Sequence, residues 1–203
     1  NEVRSVRFKR SIQTFVYLPH FISWVVISGL LTNLLSIDNG AVNALIKSLG
    51  FPPVPFLNSK QYFVSTLVVS MIWKTFGWNT IIYLAALTAV DPQLYESAII
   101  DGANRWHRIW YITLPAISST ITVVLILRLG QMMEAGFEQI FVLYHPAVYS
   151  VSDIIDTFVY RVGLNEARFE IATAAGLFKS VINLVLLVSA NTIARRVNET
   201  GIF

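Results

Sequence analysis

The stretch from Asp91 to Pro115 reads DPQLYESAIIDGANRWHRIWYITLP and lies between two long apolar runs. Asp91-Pro92 is a helix start, with Asp at the cap and Pro in the first turn. Glu96 falls early in that helix, where an acid favours the macrodipole. Small residues then recur at Ser97, Ala98, Gly102 and Ala103. Ala98 and Gly102 are four apart and share a face, which lets another surface approach closely. Gly102 ends or bends the helix. A second, amphipathic piece follows over Arg105–Thr113, with Trp106, Ile109, Trp110 and Ile112 on it. It stops at Leu114-Pro115, from which the next apolar run rises.

Outward from this segment the chain is strongly apolar. Of its 203 residues 55% are hydrophobic and 13% charged, with mean hydropathy +0.60. Soluble domains carry about 25% charged residues, so the composition points to an all-α bundle solvated by membrane lipid. Four runs supply the roughly 20 apolar residues a membrane helix needs: Ile12–Ile37, Tyr62–Val90, Ala116–Phe137 and Ile171–Ala194. Gly77 sits near the middle of the second, which is long enough to tilt or kink. Backbone in hydrocarbon must satisfy its own hydrogen bonds, so helices are expected throughout.

The connecting segments fix an orientation. Segment 1–11 carries Arg4, Arg7, Lys9 and Arg10; segment 91–115 carries Arg105 and Arg108; the tail 195–203 carries Arg195 and Arg196. Segments 38–61 and 138–167 together hold only Lys47, Lys60 and Arg161. The positive-inside rule places the first set in the cytoplasm. It also accounts for the net charge of +3 without a nucleic-acid partner. On the outer side, Phe51-Pro52-Pro53-Val54-Pro55 is stiff and extended. Ser152–Gly163 reads as a short helix, with Ser152 as N-cap and Gly163 just past its end. The chain opens Asn1-Glu2-Val3-Arg4, with no Met and no apolar leader. A longer chain with a further helix or two upstream is expected, around one permease domain over 1–203.

The central segment resembles the loop motif E-A-A-x3-G-x9-I-x-L-P of permease subunits in binding-protein-dependent ABC importers. Glu96, Ala98, Gly102, Ile112, Leu114 and Pro115 match it, and Ser97 replaces the second motif residue with another small one. The flanking Trp73, Leu84-Ala85-Ala86-Leu87, Tyr95 and Asp101-Gly102-Ala103 are similar to the carbohydrate-uptake branch, including maltose and polysaccharide permeases. The resemblance implies a MetI-like type I importer fold in the cell (inner) membrane. It implies that the loop docks as a coupling helix on a cytoplasmic ATP-binding subunit, with Glu96 as contact and Gly102 as hinge. It also implies a second permease subunit, and an extracytoplasmic solute-binding protein on segments 38–61 and 138–167. ATP and magnesium would sit on the ATPase subunit, and this chain would hold no cofactor.

Several chemistries find no residues. There is no G-x-x-x-x-G-K-[ST] loop for ATP. No cysteine is present, which removes thiol catalysis and Cys-based metal sites. His20, His107 and His145 are scattered, so neither a metal site nor a catalytic set is expected.

Ionisable groups at membrane depth usually face a bundle interior or an aqueous path. Lys74 and Trp78 are four apart on the second run. Arg128, Gln131 and Glu134 follow at three-residue steps on the third, and Lys179 and Asn183 are four apart on the fourth. Each set reads as a polar stripe lining a substrate path. Pairing among these groups or snorkelling to the interface is the competing reading. Three cations against one acid suit an anionic saccharide such as a uronate oligomer, and neutral sugars also accept from Lys and Arg. Trp24, Trp73 and Trp78 are candidates for stacking on sugar faces or for interface anchoring. An ion-coupled secondary transporter or channel would need dense midplane acids or broken helices around an ion site, and a non-transporting scaffold would need no path.

Overall fold

In the computed structural model residues 6–198 are described. Arg4, the chain opening at Asn1 and the end of the 195–203 tail lie outside them. The chain divides into two compact units. One comprises Asn1–Trp78 with Glu134–Leu177, the other Asn79–Met133 with Phe178–Phe203.

In the first unit the run expected as a single span, Ile12–Ile37, is broken. Helix α1 covers Val6–Tyr17, a 3-10 turn covers Leu18–Phe21, and α2 covers Trp24–Leu35, with a bend of 104°. Pro19 has no N–H to continue α1, so the path tightens into the 3-10 turn and breaks where Ile22 and Ser23 turn extended. Ser23 restarts the helix, its Oγ accepting from the Val26 N–H at 3.3 Å.

Segment 38–61 contains its own helix, α3 over Ala41–Ser48, before the extended Phe51–Pro55. Asn43 is fully buried. Its Nδ2 donates to the carbonyls of Leu35, Ser36 and Val54, and its Oδ1 accepts from the Val54 N–H at 2.7 Å. One side chain thus ties the end of α2 to the proline-rich strip, where Pro residues leave carbonyls without ladder partners.

Helix α4, Lys60–Thr88, has 29 residues and is about 44 Å long at 1.5 Å per residue. Its Phe63 and Leu67 form the core with Ile140 and Leu143 of α9, Phe137–Leu143, and with Val148. Gln139 is buried there and satisfied, its Nε2 donating to Leu67 O and Ser70 Oγ, both at 2.8 Å. Gly77 is where α4 meets α1: a Cβ there would overlap the Val16 carbonyl.

The helix expected over Ser152–Gly163 is divided. Ser152 belongs to a preceding turn, α10 over Tyr149–Ser152, and its Oγ donates back to Val148 O at 2.9 Å. Helix α11 runs Ile155–Tyr160 and passes into a π turn, Arg161–Asn165, so Gly163 lies inside the turn. The cap comes from Thr157, whose Oγ1 accepts from the Ile154 N–H at 2.9 Å. That hydroxyl also donates to Asp153 Oδ1 at 2.6 Å.

In the second unit α5 covers Pro92–Ile100, α6 Arg105–Arg108, a π turn Ile109–Thr113, α7 Leu114–Ala116 and α8 Ser118–Gly130. The expected third span, Ala116–Phe137, therefore ends early. Asn183 Oδ1 takes the Met133 N–H at 3.3 Å, the donor that a continuing helix would have aimed at Leu129 O. Gln131 and Glu134 thus lie past the helix end and form no stripe with Arg128. Helix α12 runs Phe169–Asn198 through both units.

Among the described residues one helix, Phe169–Arg196, is long and apolar enough alone to cross a membrane, with hydropathy 2.0. Two bent pairs pass together, giving up to three spans against the four expected. Helix α4, over most of the Tyr62–Val90 run, is not among them.

Candidate functional site

The 91–117 segment is held by backbone caps, and no residue of α5 is buried. Asp91 caps α5, its side chain accepting from the Gln93 N–H at 2.9 Å. At the other end the Gly102 N–H reaches Ile99 O at 3.0 Å and the Ala103 N–H reaches Ala98 O at 2.8 Å. These two bonds make a Schellman ending, whose left-handed position Gly102 fills with φ +78°. Gly102 therefore lies past the helix rather than on one face of it with Ala98. Asn104 then caps α6, accepting from the His107 N–H at 2.9 Å.

The two helical pieces are joined by the Tyr95 and Thr113 hydroxyls, 3.0 Å apart. Among the motif residues Glu96, Ser97, Asp101, Gly102 and Pro115 are exposed, while Ala98, Ala103, Ile112 and Leu114 are half-buried. The Ser97 hydroxyl is spent on Gln93 O at 2.8 Å, so Ser acts at this motif position as a small residue. Outward lie Ile99, Ile100, Trp106, Trp110 and Tyr111, with Ile100 86% exposed. An apolar patch of this kind marks a contact with another molecule or with lipid.

The joint to the next helix is one turn later than Leu114-Pro115. The helical path stays continuous through Ala116 and bends by 62° into α8. Pro115 removes one backbone donor, and the preceding turn widens to a π turn.

The first unit holds a second constellation around the α1–α2 break. Lys74 is 9% exposed, and its ammonium donates to the carbonyls of Pro19 (3.3 Å), His20 (2.9 Å) and Ile22. It also lies 5.5 Å from the Trp24 ring centroid. Three N–H donors meet three carbonyls, so Lys74, expected as a path charge, has its donors matched within this chain. Trp78, one turn on, stacks on the His20 ring at 4.4 Å with an interplanar angle of 2°. Phe21 stands edge-on to both. Trp78 is 44% and Phe21 71% exposed, whereas Trp24 is buried. His20 and Phe21 escaped the sequence reading; the signal was Pro19 inside an apolar run.

In the second unit Arg128 is exposed, and its guanidinium donates to Asn79 Oδ1 at 2.5 Å. Asn183 serves Met133, as described, and Lys179 is half-buried one turn before it on α12. Gln131 is exposed in this unit, and Glu134 is exposed in the first. No cluster of His, Asp or Glu suited to a metal occurs among the described residues.

The chain is 46% identical over its whole length to Protein LplB of Bacillus subtilis, covering 64% of that protein. It is equally identical to the polygalacturonan/rhamnogalacturonan transport system permease protein YteP of Bacillus subtilis, covering 63%. It thus spans somewhat under two thirds of the length of these relatives. A crystal structure of a bacterial alginate ABC transporter, in complex with an alginate pentasaccharide-bound periplasmic protein, contains a chain 47% identical. The TM-score is 0.95, with 99% of this chain and 70% of that one covered. Residues 2–199 match the family model, and the chain belongs to the binding-protein-dependent transport system inner membrane components.

Proposed function

We propose that this chain is a permease subunit of an ATP-driven importer and that it helps form the path for an acidic oligo- or polysaccharide. The exposed motif helix carries this reading. Glu96–Gly102 is the docking surface for a cytoplasmic ATP-binding subunit, which holds the ATP and magnesium. The apolar residues 99, 100, 106, 110 and 111 are the face that contact covers. In this orientation 1–11, 91–115 and 195–203 face the cytoplasm. Segments 38–61 and 138–167 face outward and receive a solute-binding protein. A second permease subunit completes the path, since so few spans enclose none alone.

The substrate class is supported by the named cargo of the relatives: polygalacturonan/rhamnogalacturonan for one, and what is described as the acidic polysaccharide alginate for the solved transporter. The exposed Trp78–His20 stack and Phe21 offer flat apolar faces to sugar rings. Arg128 and Lys179 offer cations to carboxylates, and Gln131, Glu134 and Asn183 offer polar contacts.

The docking role is tested with Gly102→Asp and Gly102→Asn in the reconstituted complex. Asn accepts the left-handed backbone without a charge, so Asn should keep most uptake and Asp should lose at least tenfold. Full coupling in the Asp variant would sink the docking role. For the substrate, Arg128→Gln should reduce uptake of a uronate pentasaccharide several-fold more than uptake of a neutral pentasaccharide. Equal losses would remove the charge argument.

A further inference from the structure

Lys74 is the buried cation that the proposed path leaves without a task. A broken helix in an apolar setting strands carbonyls that hydrocarbon cannot serve. Lys74 serves the carbonyls of Pro19, His20 and Ile22, of which Pro19 O also accepts the Ile22 N–H at 3.3 Å. The His20 carbonyl is one of the three, and the ring of the same residue lies parallel to Trp78. Trp78 follows Lys74 by four positions on α4, so the two side chains leave the same face one turn apart. One turn of α4 therefore grips the backbone of the break with its first residue and stacks on its ring with its second. Phe21 lies between the acceptors at His20 and Ile22, and its edge meets both rings.

We infer that Lys74 is a positioning residue that sets the His20–Trp78–Phe21 aromatic face for saccharide, without touching the saccharide. The inference rests on the proposed reading that this face contacts substrate. It takes the positive charge of Lys74 out of substrate selectivity and leaves that to other cations. Lys74 acts through geometry: without its three donors the 18–23 turn rotates, and the parallel stack opens.

The test uses the complete transporter in proteoliposomes, with a labelled uronate pentasaccharide delivered by its binding protein and uptake expressed per assembled complex. Lys74→Met should raise the half-saturating concentration at least fivefold while the maximal rate falls less than twofold. The same shift should appear with a neutral pentasaccharide. Lys74→Arg, which keeps the cation and several donors, should restore at least half of the loss. Lys74→Met combined with Trp78→Ala should be no worse than Trp78→Ala alone, because one residue acts through the other. If Lys74→Met does not assemble, Lys74→Gln, with two donors, is held to the same comparisons.

Unchanged uptake in Trp78→Ala would overturn the aromatic face, and the role of Lys74 with it. If Trp78→Ala impairs uptake but the Lys74 variant is silent or fully additive, only the positioning role falls. A loss confined to the acidic saccharide would also overturn it, since that would make Lys74 a substrate contact.

Discussion

The chain bends a helical path sharply twice, each time a few residues after a Leu-Pro pair, and the two breaks are satisfied differently. Between Phe21 and Trp24 the bend is 104°, between Ala116 and Ser118 it is 62°. The sharper one has carbonyls served by Lys74, more than fifty positions away in sequence. The shallower one is served from within. Thr113 Oγ1 donates to Arg108 O at 3.2 Å, Ser118 Oγ to Pro115 O at 2.8 Å, and the Ile117 N–H to Thr113 O at 3.2 Å. A break satisfied by its own neighbours can re-pair as it flexes. One satisfied by a distant lysine cannot move without α4. The first suits a segment that transmits motion, the second a surface that must keep its shape.

If that contrast is right, the largest stability loss comes from the remote donor. Lys74→Met removes the donor to three carbonyls, of which Pro19 O keeps the Ile22 N–H, and should cost on the order of 3 kcal/mol, about one per lost bond. The thermal midpoint of the purified complex in detergent reads this directly. A loss no larger than that of a surface substitution would remove the contrast.

Gly77→Ala attacks the same region from its packing. The added Cβ meets the Val16 carbonyl oxygen and carbon, which cannot yield as a flexible side chain can, as well as Val16 Cγ1. Overpacking of this sort costs about 2 kcal/mol. In the local break, Thr113→Val removes the hydroxyl pairing with Tyr95 and the bond to Arg108 O. It should cost about 1 kcal/mol and shift the midpoint less than either change near Lys74. The reverse order would mean that the local break is the rigid one.

The same contrast explains what was legible in the sequence. Asp91, Pro92 and Gly102 are local signals: each side chain or backbone preference acts within three residues, and α5 and its ending are readable from them. The motif could be placed on an exposed helix because nothing in its shape depends on distant residues. Around Lys74 the partners are remote: Pro19 inside an apolar run gives no local sign that a lysine more than fifty positions on serves its carbonyl, so spacing alone points to a path. The stripe expected over Arg128, Gln131 and Glu134 is likewise cut short, where the Met133 N–H turns to Asn183, fifty residues on. Three-residue spacing marks a face only where the helix persists.

A third kind of clamp, both local and half-exposed, sets the lower end of the scale. Arg161 Nη2 meets Asp153 Oδ2 at 2.7 Å, with about a third of each side chain exposed. Both lie in the 138–167 segment, which the charge pattern places outside the spans. The hydrogen bond from Arg161 holds the Asp153 carboxyl below the usual carboxylate range; burial works against it, and the Thr157 hydroxyl adds to the lowering. The unfolded chain therefore binds the proton more readily, and stability rises with pH through the window between the two values. The contribution is fully present above the unfolded value of about 4 and is lost as pH falls through the folded one. Solvent screening keeps it near 0.5 kcal/mol. Midpoints measured from pH 6 to pH 3 should fall slightly more in the parent protein than in Asp153→Asn, with the two curves meeting at the acid end. An Asp153→Asn penalty at neutral pH as large as that of Lys74→Met would mean that distance and burial do not rank these clamps.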